Sequence, residues 1–271
     1  SLNGPTSAAI PGIPAALDWL ATNYGNLNLT KTLKTAIEIA ESGFNVDARY
    51  SRAVKNRQRI MNSFSDTSTI FLDNYNTAKP SFILQQKNLS RTLSLIAQSG
   101  RDGFYEGPVA NELVRSVNSS GGFWTKIDLE SYQVVEREPI YLTFKDAKIT
   151  SAPLPSSGGL VIAQVLNILE NYPLDMLNNY DGQHILIEAM RRGYNDRAIH
   201  MGDQDFVNVP VSKLLSSSYA KERSANINLS KATKSRTMPS VTSISEEGTE
   251  TTHFSIIDKY AVDTFRILES S

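Results

Sequence analysis

Glu250-Thr251-Thr252-His253-Phe254-Ser255-Ile256-Ile257 is a β-favouring run entered from a long polar segment. From Asn226 to Glu250 the chain loses its periodicity and fills with Ser, Thr, Lys and Pro, which predicts an exposed loop. Loops of that length inside compact domains are usually functional or disordered. A threonine hydroxyl is a poor nucleophile at neutral pH, and one remedy is to make the threonine an N-terminus so that its own α-amine serves as base. Applied here, the remedy requires a cut between Glu250 and Thr251. A loop feeding a strand suits such a cut, because the upstream tail can leave while the strand holds the hydroxyl rigid. On its residues alone, the run reads first as an ordinary strand.

Upstream, helical periodicity dominates. Pro14 is placed to open a helix through Leu17 and Leu20, with Gly25 available to close it. Leu33, Ala36, Ile37 and Ala40 then repeat at helical spacing up to Gly43. Leu89, Leu93, Ile96 and Ala97 do so up to Gly100, and Val109, Leu113, Val114 and Val117 up to Gly121-Gly122. Glycine at each stop suits a left-handed cap. Ile140–Phe144 and Ala147–Thr150 alternate as two strands joined by a tight turn. Gly158 opens a helix apolar almost all round from Leu160 to Leu169, which predicts burial. A further helix is expected from His184 to about Tyr194, with Ile185, Ile187, Ala189 and Met190 supplying apolar contacts. No internal repeat and no obvious interdomain linker interrupts this pattern.

Composition narrows the chemistry. The chain has 271 residues, enough for one large domain or two small ones with a sizeable core. Its 27 basic and 28 acidic side chains nearly cancel, which gives no reason to expect nucleic acid or an anionic membrane as partner. With no cysteine, disulfides, thiolate metal sites and a cysteine nucleophile are excluded. Apolar runs such as Leu160–Leu169 fall short of the roughly 20 residues that span a bilayer. Ser1 opens a polar stretch with Gly and Pro, so no targeting segment is read within the chain, and one that precedes it stays open.

Nucleotide and metal motifs are missing: there is no G-x-x-x-x-G-K-[ST], no G-x-G-x-x-G and no H-E-x-x-H. No metal and no cofactor is therefore expected. His184 and His200 read as ordinary packed or surface histidines. Pro155-Ser156-Ser157-Gly158-Gly159 stands at a helix entrance, where it could cap the helix and pack closely, or present N–H groups to an anion. Sequons begin at Asn28, Asn88, Asn118 and Asn228, and in a chain this rich in Asn and Ser chance matches are the simpler reading.

The segment Thr251-Thr252-His253-Phe254-Ser255-Ile256-Ile257-Asp258 resembles the start of the small subunit of γ-glutamyltranspeptidases, and other motifs follow in the family's order. They are Ile10-Pro11-Gly12-Ile13-Pro14, Gly103-Phe104-Tyr105-Glu106-Gly107, Asp128-Leu129-Glu130-Ser131-Tyr132, Pro155-Ser156-Ser157-Gly158-Gly159, Asp196-Arg197 and Gly202-Asp203-Gln204-Asp205-Phe206. The resemblance covers the chain from about Ile10 to Asp258. It implies an α+β N-terminal-nucleophile hydrolase fold, an αββα sandwich to which this chain contributes mainly the helix-rich large-subunit part. Residues 1–250 would be the large-subunit portion, with 226–250 as its flexible pre-cleavage loop, and 251–271 the start of the small subunit. Thr251 would cut the chain at Glu250-Thr251 and then act as nucleophile. It would accept the γ-glutamyl group of glutathione or a related amide and pass it to water, an amino acid or a peptide. The remaining small-subunit chain would be its partner in a heterodimer made from one precursor, working in the periplasm or outside the cell.

Departures from the family pattern accompany the resemblance. After Asp258-Lys259-Tyr260 the family's Gly-Asn or Gly-Ser pair is missing before Ala261-Val262. The family's second threonine would fall near Ile267, which has no hydroxyl. Leu268-Glu269 fits a family step whose polar residue contacts the substrate's α-amino group, so the resemblance makes Glu269 a substrate-binding residue. The family's glycine pair, serine pair and carboxylate-binding arginine are not in the sequence, which is read as part of a longer protein with further residues expected near Tyr260. A degenerate, non-catalytic relative acting as a binding or scaffold protein is the alternative. An acylase or a poly-γ-glutamate hydrolase is another.

Overall fold

The computed structural model describes residues 3–238 and the strands Thr252–Ile256 and Arg266–Ser270, and its contacts divide the chain into two compact units, residues 1–135 and 136–271. The boundary falls in Val134-Val135-Glu136-Arg137, a stretch without the Gly or Ser of a flexible linker, which is why composition did not reveal it.

The first unit is helical. It comprises α1 (Ile13–Asn23), α2 (Leu29–Ser42), α3 (Ala48–Met61), α4 (Ser65–Phe71), α5 (Lys87–Ser99), α6 (Asp102–Tyr105), α7 (Gly107–Ser119) and α8 (Lys126–Glu130). A short antiparallel pair, β1 (Phe44–Asn45) and β2 (Ile83–Leu84), links α2 to the chain that enters α5. Pro14, Gly43 and Gly100 act as read, whereas α1 ends on Tyr24 ahead of the expected Gly25, and the Asn28 cap was not among the expected signals. Pro14 sits in the first turn of α1, and Asn28 caps α2 by accepting from the Lys31 N–H at 3.0 Å. Gly43 (φ +80°) and Gly100 (φ +58°) take the left-handed backbone that ends α2 and α5.

Helices α3 and α4 carry no sequence signal of comparable strength, since Val54 is the one buried side chain of α3. A cap supports α3, in which Asp47 accepts from the Tyr50 N–H at 2.7 Å. The main core gathers Ala15, Leu29, Ile96, Phe104, Tyr105, Ala110, Trp124 and Leu129, and a smaller one holds Val46, Ala78 and Leu84. Each large apolar side chain fully buried in this way contributes about 1.5–3 kcal/mol.

The second unit opens with the expected hairpin, β3 (Ile140–Phe144) and β4 (Ala147–Ser151), in register from Ile140 opposite Ser151 to Phe144 opposite Ala147. Helix α9 (Gly158–Leu169) is buried at Leu160, Val161, Ala163, Val165, Ile168 and Leu169, as its all-round apolar pattern requires. The chain continues through α10 (Leu174–Leu177), α11 (Tyr180–His200), α12 (Val211–Leu214) and α13 (Ser217–Ala225). Strands β5 (Thr252–Ile256) and β6 (Arg266–Ser270) pair antiparallel.

One expectation for α11 needs correction. Ile185 and Ala189 are buried, but Ile187 is 57% and Met190 42% exposed. The rest of the buried face is occupied by Gly182, Glu188, Arg192, Gly193 and Asp196, so charged groups take buried positions that the apolar pattern did not mark. Gly193 lets α11 approach α9, since a Cβ there would stand 3.3 Å from Val161 and Val165.

Candidate functional site

Glu250 and Thr251 lie outside the described residues. The adjoining strand does not: β5 begins at Thr252, and its register with β6 sets Thr252 opposite Ser270, His253 opposite Glu269 and Ser255 opposite Ile267. The run read as β-favouring is thus a paired strand. Glu269 falls within β6, as a register position on the same pair as the residues that follow Thr251.

The segment leading toward Thr251 begins at the end of α13, and its described part is tied to α11. His184 Nε2 lies 2.9 Å from the Asn228 carbonyl. Glu188 accepts the Thr233 N–H at 3.1 Å and the Thr233 hydroxyl as well. Arg192 donates to the Asn226 carbonyl at 2.8 Å, to Thr233 Oγ1 at 3.3 Å and to the Arg223 carbonyl at 3.0 Å. Arg191 donates to Ser235 Oγ at 3.1 Å, just where a single turn of tight helix, Ser235–Thr237, forms. Of the segment 226–250, residues 226–238 are therefore hydrogen-bonded to α11 at several points, and 239–250 lie outside the described residues.

The centre of this network is an ion pair. Glu188 is 1% exposed and Arg192 3%, with their charged ends 2.6 Å apart at i,i+4 spacing. Burial alone would raise the Glu188 carboxyl, but donors from Thr233, Arg192 and Arg191 outweigh it and bring it down to about 2. A carboxylate so saturated with donors stays ionised and is a poor general acid or base. It acts as a fixed acceptor.

One turn further along α11, Asp196 accepts from Gln164 of α9 at 2.9 Å and pairs with Arg223 of α13 at 2.9 Å. Burial, then the charge of Asp196, push the neighbouring Tyr219 hydroxyl up to about 12. Among the described residues, no group of three or more His, Asp or Glu gathers as a metal site, and no helix is long and apolar enough to cross a membrane.

The motifs quoted from the sequence meet in space. In the first unit, the Tyr105 hydroxyl donates to the Pro11 carbonyl and accepts the Ala15 N–H at 3.3 Å, while its ring stacks on Tyr132 with centroids 5.5 Å apart. A Cβ at Gly12 would stand 2.2 Å from the Tyr132 hydroxyl oxygen, so glycine is required for this approach. Arg101 lies over the Tyr105 ring at 5.1 Å and donates to the Tyr132 carbonyl at 3.0 Å.

In the second unit, Ser157 does not cap α9 with its side chain and instead accepts from Arg197 Nε at 2.7 Å. Gly159 lies against β4, where a Cβ would come within 2.2 Å of the Ala152 carbonyl oxygen. Close packing is the reading the geometry supports for this glycine. Asp205 holds Arg137 at 2.6 Å, so the segment Gly202–Phe206 anchors the chain entering β3. Sequence reasoning missed Glu188, Arg192 and Arg101. The i,i+4 spacing of Glu188 and Arg192, continued at Asp196, was the signal available for the first two.

Three of the sequons are used within the fold as polar anchors: Asn28 caps α2, Asn118 donates to the Trp124 carbonyl at 2.8 Å, and Asn228 accepts from the Ser230 N–H at 2.9 Å.

Comparison with known proteins gives a consistent result. The family model described as gamma-glutamyltranspeptidase matches residues 1–262. The glutathione hydrolase proenzyme of Pseudomonas sp. (strain A14) is 38% identical over 267 residues, which cover 96% of this chain and 45% of that protein. An acylase ACY 1 proenzyme of Pseudomonas sp. (strain SE83) is 32% identical over 257 residues, covering 94% of this chain and 45% of that protein. The crystal structure of Helicobacter pylori gamma-glutamyltranspeptidase superposes with a TM-score of 0.84 at 33% identity, over 92% of this chain and 72% of that one. The chain thus spans about half the length of the curated relatives it matches.

Proposed function

Because this chain belongs to the gamma-glutamyltranspeptidase family, and so to the N-terminal-nucleophile hydrolase fold, we propose that its protein is an enzyme that transfers or hydrolyses the γ-glutamyl group of glutathione and related amides. The observation that carries the proposal is the family match over residues 1–262, which runs through Thr251 to the paired strand that follows it. In this reading residues 1–250 form the large-subunit portion and 251–271 begin the small subunit. The two come from one precursor, and the enzyme works in the periplasm or outside the cell.

The Thr251 hydroxyl attacks the Glu250 carbonyl. The new C–O bond replaces the peptide C–N bond, and the hydroxyl proton passes to the departing nitrogen. That shift frees the Thr251 α-amine, and water then opens the ester, which releases the Glu250 carboxylate and restores the Thr251 hydroxyl. An α-amine has a pKa of about 8, so about a tenth is neutral at pH 7 and about half at pH 8, and the neutral form can deprotonate the hydroxyl beside it. In turnover the hydroxyl takes the γ-glutamyl group, the donor amine leaves, and water, an amino acid or a peptide receives the acyl group. Each hydrogen-bond donor to the oxyanion of the tetrahedral intermediate contributes about 3 kcal/mol. Glu269 is assigned to the substrate's α-amino group.

The test uses the full-length protein. Intact mass should show a second chain beginning at Thr251, and Thr251→Ala should abolish both the cut and the release of chromophore from a γ-glutamyl anilide. A wild-type protein that stays uncut and inert toward γ-glutamyl donors would sink the proposal and leave a non-catalytic relative. The 32% identity to an acylase proenzyme favours one second reading, the same threonine chemistry on another acyl group. A donor panel including a cephalosporin side chain and poly-γ-glutamate separates the two.

A further inference from the structure

We propose that helix α3 and the turn beside it form a docking surface for an anionic lipid bilayer, on which the protein adsorbs without inserting a helix. Over the whole chain the basic and acidic side chains nearly cancel, and that balance hides where the cations stand. Within Ala48–Met61 they are Arg49, Arg52, Lys55, Arg57 and Arg59, and the same stretch holds no Asp or Glu. Arg49, Arg52, Lys55 and Arg59 fall on one helical face, opposite the buried Val54. All four are exposed, and among the described residues none is paired with an acidic side chain. Other exposed cations of the unit have such partners, Lys34 with Glu38 and Arg115 with Glu112. Like charges one turn apart destabilise a helix, so the stability of α3 does not account for the stripe.

A second observation lies along the same helix. Gln58 and Asn62, three and seven residues after Lys55, donate to the Tyr75 carbonyl at 3.1 and 3.0 Å. The turn they hold, Asp73–Asn76, is closed by two backbone hydrogen bonds of 2.9 Å between its end residues. Its central residues, Asn74 (φ +48°) and Tyr75 (φ +66°), both take left-handed backbone, which asparagine tolerates and a bulky tyrosine seldom adopts. The result is an aromatic side chain, 63% exposed, carried on the flank of the helix that bears Lys55 and Arg59. The acidic residues at the edges of these elements are engaged: Asp47 accepts from the Tyr50 N–H, and Asp73 from Asn74 Nδ2 at 3.0 Å.

A row of cations with a tyrosine at its side matches the headgroup zone of a bilayer. Anionic lipids attract Lys and Arg there, and amphipathic rings sit at headgroup level. The apolar side of α3 is turned into the protein at Val54 and Tyr50, so the contact is electrostatic adsorption. Nucleic acid fits less well. Single strands are held in grooves with several stacking rings and duplexes by side chains aimed at base edges, whereas this surface is one helical face with one ring.

The experiment measures co-sedimentation of the full-length protein with vesicles of phosphatidylcholine containing about a third phosphatidylglycerol, and with phosphatidylcholine alone, at about 0.1 M salt. Wild type should bind the anionic vesicles and not the neutral ones, and should be released at about 1 M salt, where the screening length falls to about 3 Å. Each cation near such a surface contributes about fivefold to binding, so Arg52→Gln/Lys55→Gln should weaken it about 25-fold. Tyr75→Asn, which keeps a residue tolerant of left-handed backbone, should weaken it severalfold. Lys31→Gln/Lys126→Gln, on α2 and α8, removes the same net charge and should change binding less than about threefold. Thermal melts of these exposed variants should match wild type.

A wild-type protein that stays in solution beside anionic vesicles at about 0.1 M salt overturns the inference. So does an equal loss in the two double variants, which would mean general charge attraction without a docking face. Tighter binding of a DNA duplex than of vesicles, lost in Arg52→Gln/Lys55→Gln, also overturns it and makes nucleic acid the partner. The inference is independent of the function proposed above: vesicle binding in the expected pattern supports it even in a protein that proves inert toward γ-glutamyl donors.

Discussion

Replacing Glu188 by Gln tests the electrostatics of α11 directly, because it keeps the side chain's shape and removes its charge. The native carboxyl is brought down from an ordinary 4.5 to about 2. At about 1.4 kcal/mol per pH unit, that gap corresponds to about 3 kcal/mol of stability held by the ionised form. The sign follows from the direction. The unfolded state binds the proton more readily, so the contribution is fully present above pH 4.5 and drains away as pH falls through about 2. Glu188→Gln should therefore cost about 3 kcal/mol at pH 7, because the amide leaves the Arg192 guanidinium buried without a counter-charge. With a slope of about 2–3 kcal/mol per molar urea, the unfolding midpoint drops by about 1 M. The assay is urea unfolding from pH 7 down to pH 2, where the wild type should lose stability more steeply than the variant below pH 4.5. A midpoint change under about 0.3 M at pH 7, or identical acid limbs, would refute the reasoning.

Two further outcomes are expected. Gly12→Ala places a Cβ 2.2 Å from the Tyr132 hydroxyl oxygen on a ring already stacked against Tyr105, so it should destabilise by about 1–3 kcal/mol; Tyr132→Phe, which removes the clashing oxygen, should restore part of the loss in thermal melts. Tyr219 is raised from 10 to about 12, so its neutral form is favoured in the fold and the stability this gives falls as pH rises from 10 through 12. Tyr219→Phe should flatten that alkaline limb by about 2–3 kcal/mol, measured as the difference from wild type in urea midpoints between pH 9 and pH 12.

The sequence made legible those elements whose physics is local. Leu33 to Gly43 and Leu89 to Gly100 showed apolar spacing and a glycine stop, and both are helices ending in left-handed glycines. The hairpin at Ile140–Ser151 followed from alternation around a short turn. Helix α3 escaped because Ala48–Met61 is largely polar and buries one side chain, which leaves no apolar stripe to read. The inner face of α11 was misread for the opposite reason. Its apolar residues Ile187 and Met190 look like a packing face, yet the buried positions belong to Glu188, Arg192 and Asp196, whose partners Thr233, Arg223 and Gln164 come from distant parts of the chain. Pairing of that kind is tertiary information, and one helix's pattern cannot disclose it.

The same contrast bears on how much a family signature says about chemistry. The segments that carried the resemblance upstream of Thr251 make structural contacts: Pro11 and Gly12 meet Tyr105 and Tyr132, Ser157 meets Arg197, and Asp205 anchors Arg137 at the entry to β3. Their residue types follow from close approach, stacking and buried hydrogen bonds, so their agreement with the family argues first for a shared scaffold. A relative that had lost its catalytic groups would need the same glycines and tyrosines to fold. The case for catalysis therefore rests on Thr251 and the strand after it, and Ile267, set opposite Ser255 in the β5–β6 register, lies in that same pair. Ile267→Thr would return a hydroxyl to the position where the family pattern has one. An increase in the rate of cutting or of γ-glutamyl transfer would mean that the departure attenuates an otherwise competent site. No change in a protein that already turns over would mean that another group fills the role.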